Sequence, residues 1–133
     1  MSKSIPDTHI DLLTTKKAFA NVATLMADGT PQVTPVWIDW DGTHLIMNTA
    51  VGRLKDKNLQ ARKQVGVSIA DPENPYRYLG VQGTVAERTF EGADAHIDKM
   101  AMKYMGQEKY PFRRPDETRV IYKITPDKAH VMG

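Results

Sequence analysis

The residues with the clearest chemical potential are three cations at the start of a predicted helix. Arg53, Lys55 and Lys57 follow Gly52, where a predicted strand gives way to a helix. The free amides of a helix N-terminus and nearby cations both favour a bound anion such as a phosphate. Asp56 lies in the same segment and offsets part of this charge. Solvated basic helices show the same spacing, so the spacing alone leaves both interpretations open.

Two aspartates, Asp39 and Asp41, flank Trp40 and form a candidate carboxylate pair. A pair of carboxylates can divide general acid and general base roles when their surroundings separate their proton affinities. Gly42 follows directly, however, and Asp-Gly dipeptides are strong turn formers. The pattern therefore indicates turn formation rather than catalysis, and no catalytic side chain is identified.

Several classes of site are excluded by what the sequence lacks. The chain has no cysteine, which rules out disulfides, thiolate metal sites and cysteine nucleophiles. The nucleophile elbow, the dinucleotide-binding glycine motif and the phosphate-binding Gly-Lys-Ser/Thr loop are also missing. No metal is expected, because the histidines are scattered and lack partners at ligand spacing. They are His9, His44, His96 and His130.

Aromatic side chains gather in two segments and include Arg77 between two tyrosines. Planar rings beside a guanidinium are suitable partners for a flat heterocycle, through stacking and hydrogen bonding. Taken singly, each of these residues fits a core or an interface equally well. The aromatic residues concerned are Trp37, Trp40, Tyr76 and Tyr78.

Length and composition favour one small soluble domain spanning residues 1–133. The formal net charge of +2 is too small to indicate a nucleic-acid or membrane-surface partner. The N-terminal segment has no apolar stretch of signal-peptide type, and no apolar run is long enough to cross a membrane. The cytoplasm is therefore the expected location.

The hydrophobic pattern predicts a mainly β protein, a small antiparallel barrel with peripheral helices. Asp28-Gly29 and Asp41-Gly42 predict tight hairpin turns, so the first three strands are expected to form a meander. Pro35 predicts an edge or a bulge, and Gly80 and Gly83 predict barrel curvature. The six predicted strands cover 18–26, 32–39, 43–49, 64–70, 76–89 and 119–125, and the helices 6–13, 53–62 and 91–105, with Gly106 as a cap.

Three segments together resemble a known family. Residues 23–25 with 28–37, residues 53–59 and residues 71–78 are similar to the flavin/deazaflavin oxidoreductases of the split-barrel fold, the relatives of pyridoxamine 5'-phosphate oxidase. Within that family the chain is most similar to the small coenzyme F420-dependent enzymes, over residues 17–130. The resemblance implies a six-stranded antiparallel split barrel that works as a homodimer, with two equivalent cofactor sites at the dimer interface.

The resemblance also implies which residues hold the cofactor, which would be F420 or, alternatively, FMN. Arg53 and Lys55 match the cations that bind the cofactor phosphate, and Lys57 is a weaker match. Arg62, Lys63, Arg113 and Arg114 could meet the anionic F420 tail or could be solvated surface. The ring would lie beside residues of two strands: Val33, Thr34, Pro35, Val36, Met47, Asn48 and Thr49. Tyr76 and Tyr78, of this subunit or its partner, would reach toward the same pocket and are the possible proton donors.

The implied activity is hydride transfer between the cofactor and a small conjugated or heterocyclic substrate. The chain ends at Met132-Gly133 without the basic C-terminal region of pyridoxamine 5'-phosphate oxidases, which disfavours vitamin B6 oxidation. Two alternatives stay open at this point. One is an FMN-dependent oxidoreductase of the same fold, and the other is a non-catalytic carrier or sensor of a flavin or haem-type ring.

Overall fold

The computed structural model describes residues 5–133, which form one antiparallel sheet with helices around it. The mainly β split-barrel architecture is confirmed, but the described residues contain seven strands rather than six. The sheet order is β2-β1-β5-β6-β7-β4-β3. The strands are β1 (Ala20–Leu25), β2 (Pro31–Val36), β3 (Asp39–Trp40), β4 (Leu45–Ala50), β5 (Gln64–Asp71), β6 (Asn74–Thr89) and β7 (Arg119–Met132).

Three α-helices and a short 3-10 helix complete the described part of the chain. The 3-10 helix (Asp7–His9) and α1 (Asp11–Thr14) precede the sheet, α2 (Leu54–Ala61) follows β4, and α3 (Ala93–Met105) follows β6. Gly106 ends α3 in the left-handed conformation, with φ of 69°, as its position predicts. No helix within residues 5–133 is long and apolar enough to span a membrane.

The two edges of the sheet are held close together by a very short connection. β2 and β3 are the opposite edges, yet only Trp37 and Ile38 separate them in sequence. Three residues of extended chain reach at most about 11 Å. The sheet must therefore curl until its edges nearly meet, which gives the open barrel its seam.

The predicted meander of the first three strands is wrong. β1 does pair with β2, with Ala20 opposite Val36, and the Asp28-Gly29 turn joins them as expected. β4 pairs instead with β7, on the far side of the sheet. The physical reason lies at Ile38, which is fully buried and has its backbone bound by α3: Tyr104 Oη accepts its N–H and Lys103 Nζ donates to its carbonyl. Ile38 thus leaves the β2 ladder and carries the chain across the seam.

Strand β6 is bent where the sequence has glycine. The pairing of β6 with β7 shifts register between Gln82 and Gly83, and a Cβ added at Gly83 would lie 2.6 Å from Ile124 Cγ2. The expected curvature at Gly83 is therefore confirmed. β7 continues to Met132 rather than ending at Thr125, because it stays paired with β6 over that length. Pro35 lies in the edge strand β2, as predicted.

Candidate functional site

A cleft of about 170 Å³ opens at the seam between the sheet edges. Its walls come from the end of β2 and the seam connection, from β4, from the start of α2, from one face of α3 and from the start of β7. A loop between α3 and β7 adds aromatic side chains. The lining residues are Phe19, Pro35, Val36, Trp37, Asn48, Thr49, Arg53, Lys55, Ile97, Met100, Tyr110, Phe112 and Arg119.

One end of the cleft is strongly cationic. Lys55 is only 9% exposed, and no hydrogen bond or ion pair involves its ammonium within residues 5–133. Its burial, together with the charges of Arg53 and Arg119, lowers its pKa below the ordinary value of 10.5. A buried cation that is held among other cations and lacks a partner is suited to binding an anion.

Glu117 is the carboxylate that touches this cationic end. It accepts a hydrogen bond from Arg119 Nη1 at 2.9 Å and lies 3.4 Å from Arg53 Nη2. Its own side chain is 7% exposed. Three cations and one carboxylate leave a surplus of two positive charges, which matches a doubly charged phosphate monoester.

The start of α2 is fixed by a buried carboxylate. Asp56 is fully buried, and accepts hydrogen bonds from the Gly52 amide (3.0 Å), from Tyr122 Oη (2.5 Å) and from Arg88 Nε (3.0 Å). Burial alone would raise the pKa of Asp56, but the hydrogen bonds from Arg88, Tyr122 and Gly52 outweigh it and lower the pKa. The Asp56 charge is therefore balanced by Arg88. The sequence predicts instead that Asp56 offsets part of the charge of the neighbouring cations Arg53, Lys55 and Lys57.

The cleft also offers flat and apolar surfaces. The Trp37 ring stacks on Tyr104 at 5.3 Å, with only 7° between the ring planes, and meets the Tyr110 ring edge-on at 5.9 Å. Ile97 and Met100 present the buried face of α3. In β4, the buried Thr49 hydroxyl has no hydrogen-bond partner among the described residues. An unpaired hydroxyl in a cleft wall leaves one donor or acceptor available to a ligand.

The structure brings half of the predicted cofactor-binding residues into the cleft: Pro35, Val36, Asn48, Thr49, Arg53 and Lys55. The others lie elsewhere in this protomer, and all twelve cofactor-binding roles stay predictions. Met47 faces the core and Lys57 is exposed on α2, whereas Val33 (58%) and Tyr76 (78%) are well exposed. The Thr34 hydroxyl is buried without a partner, and Tyr78 packs edge-on against His130.

The sequence pattern does not identify the residues of α3 and of the α3–β7 loop that line the cleft. Arg119 is the most important omission, and its only sequence signal is a lone cation at the head of an apolar strand. Tyr110 and Phe112 stand as isolated aromatics in a polar connection. The predicted grouping of Trp37 with Trp40, Tyr76 and Tyr78 does not form, because the Trp37 ring contacts Tyr104 and Tyr110 instead.

Other candidate residues have local partners. Asp41 accepts the Thr43 and His44 amides and is the turn former that the sequence predicts. Asp39 is not a turn former, because its carboxylate binds His96 and Lys99 of α3. Three of the cations considered for an anionic tail are also engaged: Arg62 with the Leu25 carbonyl, Lys63 with the Gln60 carbonyl, and Arg113 with Asp94 and Asp98.

The curled antiparallel sheet with a cationic cleft at its seam defines a small split-barrel protein. The chain matches the pyridoxamine 5'-phosphate oxidase family over residues 6–133, and it belongs to that family. No curated protein matches the sequence.

Solved structures agree with this assignment. An F420 reductase is 32% identical with a TM-score of 0.82, and the match covers 95% of this chain and 98% of that one. A putative pyridoxamine 5'-phosphate oxidase from Listeria innocua is 16% identical (TM-score 0.71, 94% and 95% covered). HupZ of Group A Streptococcus is 23% identical (TM-score 0.69, 96% and 93% covered). The last two similarities concern the fold alone.

Proposed function

We propose that this protein is an oxidoreductase that binds a flavin-type cofactor at the seam cleft, with the deazaflavin F420 as the leading candidate and FMN as the alternative. The observation that carries the proposal is the group of cations in the cleft, where Lys55 is buried beside Arg53 and Arg119 and has no partner among residues 5–133. The family and the 32% identical F420 reductase support the same class of cofactor.

The residues present fit both the phosphate and the ring of such a cofactor. Arg53, Lys55 and Arg119 would hold the phosphate through charge-assisted hydrogen bonds. The unpaired Thr49 hydroxyl and the Trp37 side chain would contact the ring, with Ile97 and Met100 excluding water behind it. When bound, a flavin or deazaflavin ring supplies hydride transfer to or from a small conjugated or heterocyclic substrate.

The chain's own residues would therefore bind and orient rather than react. No carboxylate or imidazole is among the residues that line the cleft, and the titratable side chains there are Arg53, Lys55, Arg119 and Tyr110. Tyr76 and Tyr78, the proton donors considered from the sequence, lie outside the cleft of this protomer. If a proton is delivered from within the protomer, the Tyr110 phenol is the group in place.

The size of the cleft supports a site shared between two copies of the chain. Ligand pockets commonly measure about 300–1,000 Å³, so a volume of about 170 Å³ holds only part of a cofactor. Phe19 and Phe112 line its mouth and are still 53% and 61% exposed. A homodimer in which the partner completes the cofactor site is consistent with these values, and we include it in the proposal.

The first test is a parallel titration of cofactor-stripped protein with FMN and with F420, followed by fluorescence. We expect micromolar or tighter binding of F420. Binding of FMN alone would keep the anion site and change the cofactor, and binding of neither would contradict the proposal. Lys55→Ala and Arg53→Ala should each weaken binding about tenfold or more, since each removes a charge-assisted hydrogen bond.

The matched control for these variants is Lys128→Ala, which removes an exposed lysine of β7 that lies outside the cleft. Its affinity should equal that of the wild type. Equal losses in Lys55→Ala and Lys128→Ala would indicate a general charge effect and would contradict a specific phosphate site. Catalysis is tested by reducing the bound cofactor and adding an enone or a quinone. A reduced cofactor that no such acceptor reoxidises would favour a carrier or sensor.

A further inference from the structure

Asn48 is the centre of a chain of hydrogen bonds that runs from the cleft into α3. Its Nδ2 donates to the Ala93 carbonyl at 2.8 Å and lies 3.2 Å from His96 Nδ1. Its Oδ1 accepts from Arg119 Nε at 2.9 Å. His96 Nε2 lies 3.0 Å from Asp39 Oδ2, which ends the chain at a carboxylate.

The direction of every bond in this chain follows from its two ends. The guanidinium of Arg119 can only donate, so the oxygen of Asn48 must face it. The Asn48 amide nitrogen then faces His96, and the Nδ1 atom of His96 must accept. Neutral His96 therefore carries its proton on Nε2 and donates it to Asp39. One amide orientation and one tautomer satisfy all four groups.

The chain ends in the cleft at a side chain that the anion site needs. Arg119 is 5% exposed and lines the cleft, with Nε held by Asn48, Nη1 held by Glu117 and the Tyr110 ring 5.2 Å from its Cζ. Nη2 has no hydrogen-bond partner within residues 5–133. Three sides of the guanidinium are thus fixed, which leaves Nη2 as the group available to a ligand.

We propose that Asp39 and His96 are positioning residues for Arg119, and that they make cofactor binding depend on the protonation state of His96. This inference rests on the proposed function for its ligand. A proton on His96 Nδ1 would face the Asn48 amide nitrogen, which is also a donor. Turning the amide to relieve that conflict would place its nitrogen against Arg119 Nε, another donor. Imidazolium formation therefore removes the Asn48 hydrogen bond to Nε, one of the three contacts that fix Arg119.

The charged groups near His96 come from three elements, and a neutral amide comes from a fourth. Asp39 on β3 lies 3.0 Å from His96 Nε2, and Lys99 on α3 lies 3.1 Å from the same Asp39 oxygen. Lys103 on α3 also interacts with Asp39 through its charge. Asn48 on β4 is neutral, and Arg119 on β7 acts through it.

The test has one arm that needs no ligand. In ligand-free protein, the Arg119 Nε–H, whose resonance is assigned by its loss in Arg119→Lys, should exchange far more slowly than a free guanidinium at about pH 8. At about pH 5.5 its exchange should approach the rate of a free guanidinium at that pH. His96→Gln cannot take up the proton, so the protection of its Arg119 Nε–H relative to a free guanidinium should not change with pH. His44→Gln is the matched control, because His44 is partly exposed and also lies beside an aspartate, Asp41, but its side chain bonds none of Asp39, His96, Asn48 and Arg119.

The second arm measures FMN and F420 affinity across the same pH range. On acidification the wild type should lose about tenfold more affinity than His96→Gln, while His44→Gln follows the wild type. Asp39→Asn keeps an acceptor for His96 but removes the carboxylate charge, so its loss should begin at lower pH. It is the variant to use if His96→Gln does not fold.

The outcomes separate the two proposals. Parallel affinity profiles in the wild type and His96→Gln would overturn the positioning role. So would an Arg119 Nε–H that stays protected, relative to a free guanidinium, in folded wild-type protein at acidic pH. A protein that binds neither cofactor, but whose Arg119 signal changes as expected, would contradict the proposed function and support the positioning chain.

Discussion

At the scale of single residues, the Lys55 ammonium carries a charge that its surroundings disfavour. It is buried against Arg53 and Arg119, and both the loss of hydration and the like charges lower its pKa. A bound anion would reverse both effects, since it supplies the missing partner. The free energy stored in this unfavourable charge is therefore recovered on binding, which is a common arrangement in anion sites.

The lowered pKa of Lys55 predicts a loss of cofactor affinity in alkaline solution. Phosphate binding needs the protonated ammonium, and a lowered pKa means that deprotonation begins at lower pH than for a free lysine. Affinity should fall as the pH rises through that pKa. In Lys55→Arg the fall should be absent, because a guanidinium stays charged. Titrations of both proteins from neutral to alkaline pH check this, and identical alkaline losses would show that another group is responsible.

At the scale of elements, α2 begins where it does because Asp56 is anchored inside the barrel. Its carboxylate ties the Gly52 amide to Tyr122 of β7 and Arg88 of β6, so three elements meet at one buried charge. Gly52 adopts φ of 92°, which suits glycine at this turn. The result is that Arg53 and Lys55 project from a fixed first turn.

Asp56→Asn should destabilise the protein by about 3 kcal/mol, because it leaves the half-buried Arg88 without its counter-charge and sets an amide nitrogen among donors. Urea denaturation measures this change. The control is Asp28→Asn, in the exposed turn between β1 and β2, where asparagine serves equally well. A free energy of unfolding that falls no further in Asp56→Asn than in Asp28→Asn would show that Asp56 does not anchor α2.

Short sequence motifs predict many of these elements, but they do not predict which strands pair when the strands are far apart in sequence. The Asp28-Gly29 turn, the edge position of Pro35, the bend at Gly83 and the cap at Gly106 all depend on backbone chemistry within a few residues. The partner of β4 does not, since nothing in the alternation of Leu45–Ala50 distinguishes β2 from β7.

In the candidate site, too, the residues that depend on local sequence are predicted and those that depend on distant pairing are not. Arg53 and Lys55 are visible in the sequence because they adjoin a helix start. Arg119 joins them only through the pairing of β4 with β7, where it lies opposite Ala50. Asp39 looks like a turn former until α3 packs across the seam and brings His96 to it. Tertiary packing, which the sequence pattern does not specify, supplies these partners.

At the scale of the whole molecule, the protomer exposes several large apolar side chains. Val33, Tyr76 and Phe112 are each more than half exposed, and Phe19 and Phe112 border the cleft. Exposed apolar groups of this size often mark an interface. Together with the small cleft, they lead to a prediction about the assembly.

Light scattering should give a mass of about 30 kDa, twice that of the 14.9 kDa chain, for protein able to bind cofactor. Affinity should also fall on dilution below the dimer dissociation constant, because each site would then lose the partner's contribution. A monomer that retains full affinity at every concentration would contradict a site built between subunits.

The number of residues in the seam connection between β2 and β3 limits the width of the cleft. Trp37 and Ile38 connect two edges that share no ladder hydrogen bonds in the described part of the chain, and Pro35, Val36 and Trp37 form one wall of the cleft there. One glycine inserted after Ile38 would let the edges separate by up to about 3.5 Å without changing any side chain that lines the cleft. The number of residues in this one connection thus sets how wide the cleft can open, independently of the side chains that form its walls.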